Sequence, residues 1–133
     1  MKLHVFHGSP ISGITSLREG QGVQYQRVAG IYFSKSREEA EKYTKINGIK
    51  HPENVIEAYV SLKNPANRKT LDQVGYKLDG LQVREKLKEL GHDGVIDDLM
   101  AEVIVFDPSQ ITIIKNEKTA TQWIKEHCRF ADL

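Results

Sequence analysis

At 133 residues the chain is the size of one compact domain, and its 39% hydrophobic and 28% charged content excludes both a disordered and a membrane-embedded chain. A net charge of +1 supplies no general field for DNA, RNA or anionic membrane, and a single cysteine, Cys128, excludes an internal disulfide. The opening apolar run is too short for a signal peptide and no stretch approaches a membrane span, so one domain over 1–133, cytoplasmic and without a membrane partner, is expected.

In chain order, Leu3-His4-Val5-Phe6-His7 alternates as a strand does and stops at Gly8-Ser9-Pro10, which puts His7 at a strand end. Residues 8–30 hold five glycines and read as loop, with one helical turn near Thr15 to Arg18. Gly30 to Ser34 reads as a short strand. Ser36 with Glu39 three residues on is a capping-box pattern, predicting a helix to about Lys45 that carries Tyr43. Val55 to Leu62 is a strong strand ended by Pro65.

Leu81, Val83, Leu87 and Leu90 share one face of a helix from Gly80 to Leu90, with Gly91 as its stop. His92-Asp93-Gly94 reads as a turn into a strand at Val95 to Asp97. Two further strands follow, Glu102 to Phe106 and Ile111 to Ile114, joined by Asp107-Pro108-Ser109-Gln110. A last helix is predicted from Thr119 to about Arg129, anchored by Trp123. About six strands and three or four helices in irregular order indicate an α+β domain. No G-x-G-x-x-G opens a helix after a strand, which argues against a Rossmann-type nucleotide site.

Three fragments each put a polar or aromatic residue at a strand edge: Phe6-His7-Gly8-Ser9, Gly30-Ile31-Tyr32-Phe33-Ser34, and Ala101-Glu102 followed by Val103 to Pro108. In this order they resemble the His-Tyr-Glu signature of ADP-ribosyltransferases of the diphtheria-toxin and poly(ADP-ribose) polymerase type. Tyr43 stands eleven residues after Tyr32, where the polymerase group has a second tyrosine. The chain is also similar to compact ADP-ribosyltransferase domains of phages and mobile elements, through Val60 to Pro65, Gly91 to Ile96 and Val105 to Ile111; the resemblance covers residues 1 to about 114.

The resemblance implies two small, mainly antiparallel sheets flanked by helices around a cleft that takes NAD as substrate, with no metal. It implies that Gly8 holds the nicotinamide carboxamide through its backbone, His7 a ribose hydroxyl, and Tyr32 and Tyr43 the nicotinamide ring. Stacking and cation–π attraction suit tyrosine faces to a flat aromatic cation. Glu102 is then the catalytic carboxylate, since a fixed negative charge stabilises the oxocarbenium-like ribose formed as nicotinamide leaves. Where the polymerase group has a carboxamide-binding serine this chain has Ala40, and Ser9 or Ser34 is the expected substitute. Met100 stands where arginine-modifying relatives carry Glu or Gln, which disfavours arginine as acceptor.

Each residue also has a plainer explanation. His7 serves equally as a hydrogen-bonded structural histidine, Tyr32 and Tyr43 as core aromatics, and Glu102 as an exposed strand start. The five histidines (His4, His7, His51, His92, His127) and Cys128 lack metal-ligand spacing, and Arg84 to Glu89 reads as a solvated helix face. The expected function is transfer of one ADP-ribose from NAD to a macromolecule, with protein favoured over nucleic acid as acceptor. By analogy it would be a phage-encoded effector or inhibitor of host defence. The rivals are an NAD glycohydrolase toxin and a transferase-like binding protein without turnover.

Overall fold

The computed structural model describes residues 1–10, 17–18, 20 and 22–114. Most of the predicted turn near Thr15 and the whole predicted C-terminal helix, with Trp123, His127 and Cys128, lie outside the described residues. The strands are β1 (Lys2–Gly8), β2 (Ile31–Ser34), β3 (Val55–Ser61), β4 (Ala66–Asn67), β5 (Gly94–Asp97), β6 (Glu102–Val105) and β7 (Ile111–Ile113). The α-helices are α1 (Arg37–Glu41), α2 (Arg68–Val74) and α3 (Gly80–Glu89).

The strands form one ladder in the order β4-β5-β6-β2-β1-β3-β7, antiparallel except for the β4–β5 pair. The resemblance implied two small sheets; the strands instead form one seven-stranded sheet, because β1 and β2 still pair at its middle. Strand β1 pairs with β3 along its whole length, from Lys2↔Ser61 to Gly8↔Val55, but meets β2 at one position, Phe6↔Ser34. The seam between halves is therefore nearly open.

Two apolar cores hold the halves rigid. Val5, Phe33, Val60, Leu62, Val103 and Val105 belong to the first; Val28, Leu71, Val83, Leu87, Val95 and Ile104 form the second, which packs α2 and α3 on the sheet. Because Ile104 belongs to one core and its neighbours Val103 and Val105 to the other, β6 is buried on both faces. That is why its sequence is a continuous apolar run instead of an alternating one.

Local signals account for the helix ends. The Asp79 carboxylate accepts the Gln82 amide and the Gln82 side chain accepts the Asp79 amide, a complete capping box at the start of α3. At α1 only half the expected box forms: Ser36 Oγ accepts the Glu39 amide, but the Glu39 carboxylate pairs with Lys42. The helix then tightens into a 3-10 turn over Lys42–Thr44, which carries Tyr43. Helix α2 and strand β4 were not foreseen. Asn67 caps α2 by accepting the Thr70 amide, yet its buried apolar face is essentially Leu71, too short a pattern to read as a helix from sequence.

The stretches that carry the phage-type resemblance meet in one knot. The Asp93 carboxylate accepts the amides of Lys63 and Asn64 at 2.7 and 3.0 Å, and Asn64 Nδ2 donates to the Gly91 carbonyl. Gln110 Nε2 donates to the Ser61 and Asp93 carbonyls. Asp93 precedes the first residue of β5, while the pocket described below lies by its last, so these residues serve the scaffold. Asp93→Ala is expected to lower unfolding free energy by about 1–2 kcal/mol by orphaning two amides, with an unchanged m-value, in urea denaturation followed by circular dichroism.

Candidate active site

The register sets a row of side chains across four strands. Asp97 on β5 stands opposite Glu102 on β6, Glu102 opposite Ser34 on β2, and Ser34 opposite Phe6 on β1. Directly paired residues project to the same side of a sheet, so this polar row ends at the open seam. A cavity of about 220 Å³ opens there, lined by Phe6, His7, Gly8, Tyr32, Phe33, Ser34, Tyr43 and Glu102. Of the residues named from sequence, His7, Gly8, Tyr32, Ser34, Tyr43 and Glu102 are thus brought together. Ser9 is not among the lining residues, and Ala40 is wholly buried.

Each wall has a physical anchor. His7 Nδ1 lies 2.8 Å from the Tyr32 carbonyl oxygen, bridging β1 and β2 just where they part. A carbonyl only accepts, so Nδ1 is the donor of this bond, and Nε2 is the ring nitrogen left to meet a ligand hydroxyl. Phe33 packs edge-on against this ring at 5.8 Å. The Tyr32 hydroxyl donates to the Val28 carbonyl at 2.7 Å, and burial, partly offset by that bond, raises its pKa, so the phenol stays neutral. Its ring packs on the second core, so the core and the pocket-wall readings of Tyr32 both hold. Tyr43, by contrast, is 60% exposed and is no core residue.

Gly8 has a reason the sequence did not disclose. A Cβ built on it would lie 1.8 Å from the Ala40 carbonyl oxygen and 3.3 Å from Tyr43 Cβ. The residue is glycine because the end of α1 presses on β1 there, bringing Tyr43 to the cavity.

Beside the cavity lies an ion network absent from the sequence reading. The Asp97 side chain has no solvent exposure and accepts four hydrogen bonds: from Arg27 and Arg68, each at 3.0 Å to Oδ2, and from the Leu99 and Met100 amides to Oδ1. Burial pushes this carboxyl up, but Arg27, the Met100 amide and Arg68 outweigh it and hold it below the ordinary aspartate range. The amide bonds fold the hairpin turn back on Asp97, and the turn closes with Ala101 at φ 52°, a left-handed conformation costly for alanine. Glu102 follows at once. Its side chain is 17% exposed, and burial raises its pKa despite Arg27 at 3.5 Å.

The family described as ADP-ribosyltransferase in polyvalent proteins matches residues 1–121. The chain belongs to that family. No curated protein matches it. ADP-ribosyltransferases take NAD as substrate, and the lining residues suit it: aromatic rings for a flat cation, a carboxylate for developing positive charge, and a ring nitrogen for a hydroxyl. The volume is below the roughly 300–1,000 Å³ that enclose a drug-sized ligand. Among the described residues no three His, Cys, Asp or Glu side chains are grouped to hold a metal ion, and no helix is long and apolar enough to cross a membrane.

The raised Glu102 pKa has a consequence for stability. A carboxyl whose folded pKa exceeds its unfolded value destabilises the fold above the folded pKa, where it must stay ionised, and carries no such penalty below the unfolded value. Glu102→Gln is therefore expected to raise Tm at pH 7. The gain should shrink as pH falls through the folded pKa, as scanning calorimetry at a series of pH values would show.

Proposed function

We propose that this domain is a mono-ADP-ribosyltransferase that cleaves NAD and transfers ADP-ribose to a macromolecular acceptor, with Glu102 as its catalytic carboxylate. The observation that carries the reading is the gathering of His7, Gly8, Tyr32, Tyr43 and Glu102, far apart in sequence, around one cavity. Tyr32 and Tyr43 hold the nicotinamide ring, the Gly8 backbone and Ser34 its carboxamide, and His7 Nε2 a ribose hydroxyl. Ser34 lines the cavity and replaces the serine missing at Ala40; Ser9 does not line it.

In the reaction the bond between ribose C1′ and the nicotinamide nitrogen breaks, and its electron pair neutralises the pyridinium, which leaves as nicotinamide. The positive charge left on the ribose is stabilised by ionised Glu102, which also accepts a hydrogen bond from the 2′-hydroxyl. A nucleophile on the acceptor then bonds to C1′ and loses its proton. Met100, two residues before Glu102, is 55% exposed, and its thioether is only a weak acceptor for a guanidinium, which disfavours arginine as the acceptor. A protein acceptor in a host cell, reached by a phage-encoded effector acting in the cytoplasm, fits a compact domain with little net charge.

The test incubates the protein with labelled NAD, alone and with a cell lysate. Label on a lysate protein is the expected result; free ADP-ribose alone would make water the acceptor, and absence of NAD binding would defeat the enzyme reading. Glu102→Gln should lower turnover at least about 100-fold while still binding NAD. Tyr43→Ala should weaken NAD binding about five- to tenfold by removing one stacking wall, read by isothermal titration calorimetry.

A further inference from the structure

Among the described residues the Glu102 carboxylate meets one cation directly: Arg27 Nη2 points to Oε1 across 3.5 Å. A contact of that length on a mobile side chain would count for little. The weight comes from how Arg27 is held. Its Nη1 donates at 3.0 Å to Asp97, which has no access to water and so cannot exchange this partner for solvent. One end of the guanidinium is fixed, and its second nitrogen is presented to Glu102.

The charge balance argues against a different use of these arginines. Arg27 and Arg68 bring two positive charges, whereas Asp97, Glu102 and Asp72 on the far side of Arg68 bring three negative ones. No excess positive charge is left to hold a phosphate, so the cations serve the carboxylates. The groups facing Glu102 are Asp97 from β5, Tyr32 and Ser34 from β2, Arg68 from α2, Arg27 from the loop before β2 and, around the cavity, His7 from β1 and Tyr43 from the turn after α1. Of these the two arginines carry the permanent positive charges that favour its ionised form, and Arg27 is the one in contact.

We propose that Arg27, anchored by buried Asp97, is a positioning residue that keeps Glu102 ionised and aimed at the pocket. The planar fork places one nitrogen on each carboxylate, which a lysine ammonium cannot reproduce. This rests on Glu102 being the catalytic carboxylate, and its test has a readout independent of turnover.

Glutamate labelled with carbon-13 allows the Glu102 carboxyl, assigned by its loss in Glu102→Gln, to be titrated by NMR in the wild type, Arg27→Gln and Arg27→Lys. Arg27→Gln should move the Glu102 midpoint to higher pH, carry the acid limb of the pH–rate profile with it, and lower kcat at neutral pH roughly 10- to 100-fold. The KM for NAD should change less than about threefold. Arg27→Lys, which keeps charge without the fork, should titrate near wild type yet recover kcat only in part. A folded Arg27→Gln protein with an unmoved Glu102 titration would overturn the proposal. If Arg27→Gln does not fold, Arg27→Lys decides: wild-type kcat there would overturn it. Full turnover by Glu102→Gln would instead remove the catalytic reading, while the titration would still report whether Arg27 acts on Glu102.

Discussion

A carboxylate shut off from water has to be satisfied entirely from within the protein, and the four donors that satisfy Asp97 come from three separate parts of the chain. Arg27 belongs to the loop before β2, Arg68 opens α2, and the Leu99 and Met100 amides shape the β5–β6 turn. Removing any one would leave a buried charge short of a partner, which is far costlier than losing a surface pair. One interaction thus fixes the entry to β2, the start of α2 and the hairpin that delivers Glu102.

The pocket follows from a sheet that is nearly two sheets. Strands β1 and β2 pair at Phe6↔Ser34 alone, and on the parted side His7 reaches across to the Tyr32 carbonyl. The first core spans the seam, with Val5 and Val60 from one half packed with Phe33 and Val103 from the other, and the cavity opens beside it. Its carboxylate is held where burial works against ionisation. Such a charge reduces stability at neutral pH.

What could be read from the sequence was what is local. Strand β1 alternates, β3 is rich in strand formers, β6 is an unbroken apolar run, α3 shows one apolar face, and Ser36 caps α1, each within a window of a few residues. His7, Tyr32 and Glu102 were legible through the family resemblance of three short fragments, and Tyr43 through its place eleven residues after Tyr32. Helix α2 was not, because its cap is one asparagine and its buried face little more than Leu71. The phage-type stretches around Asn64, Asp93 and Gln110 drew attention as recognisable fragments, yet they tie loops at the end of β5 away from the cavity. Gly8 lines the cavity, and the neighbour that excludes a side chain there is the Ala40 carbonyl of the protein itself.

The sequence by itself therefore determined an α+β chain with most of its strands and helices and, through resemblance, the family it belongs to and most of the polar residues that line the cavity. Tertiary structure alone decided that the sheet halves meet at a single pair, that Ser34 and not Ser9 lines the pocket, and that Arg27 reaches both Asp97 and Glu102. The division has a physical cause. Caps and hydrophobic periods act between neighbours a few residues apart, whereas Arg27 and Asp97 are separated by 70 positions and meet only in the folded chain.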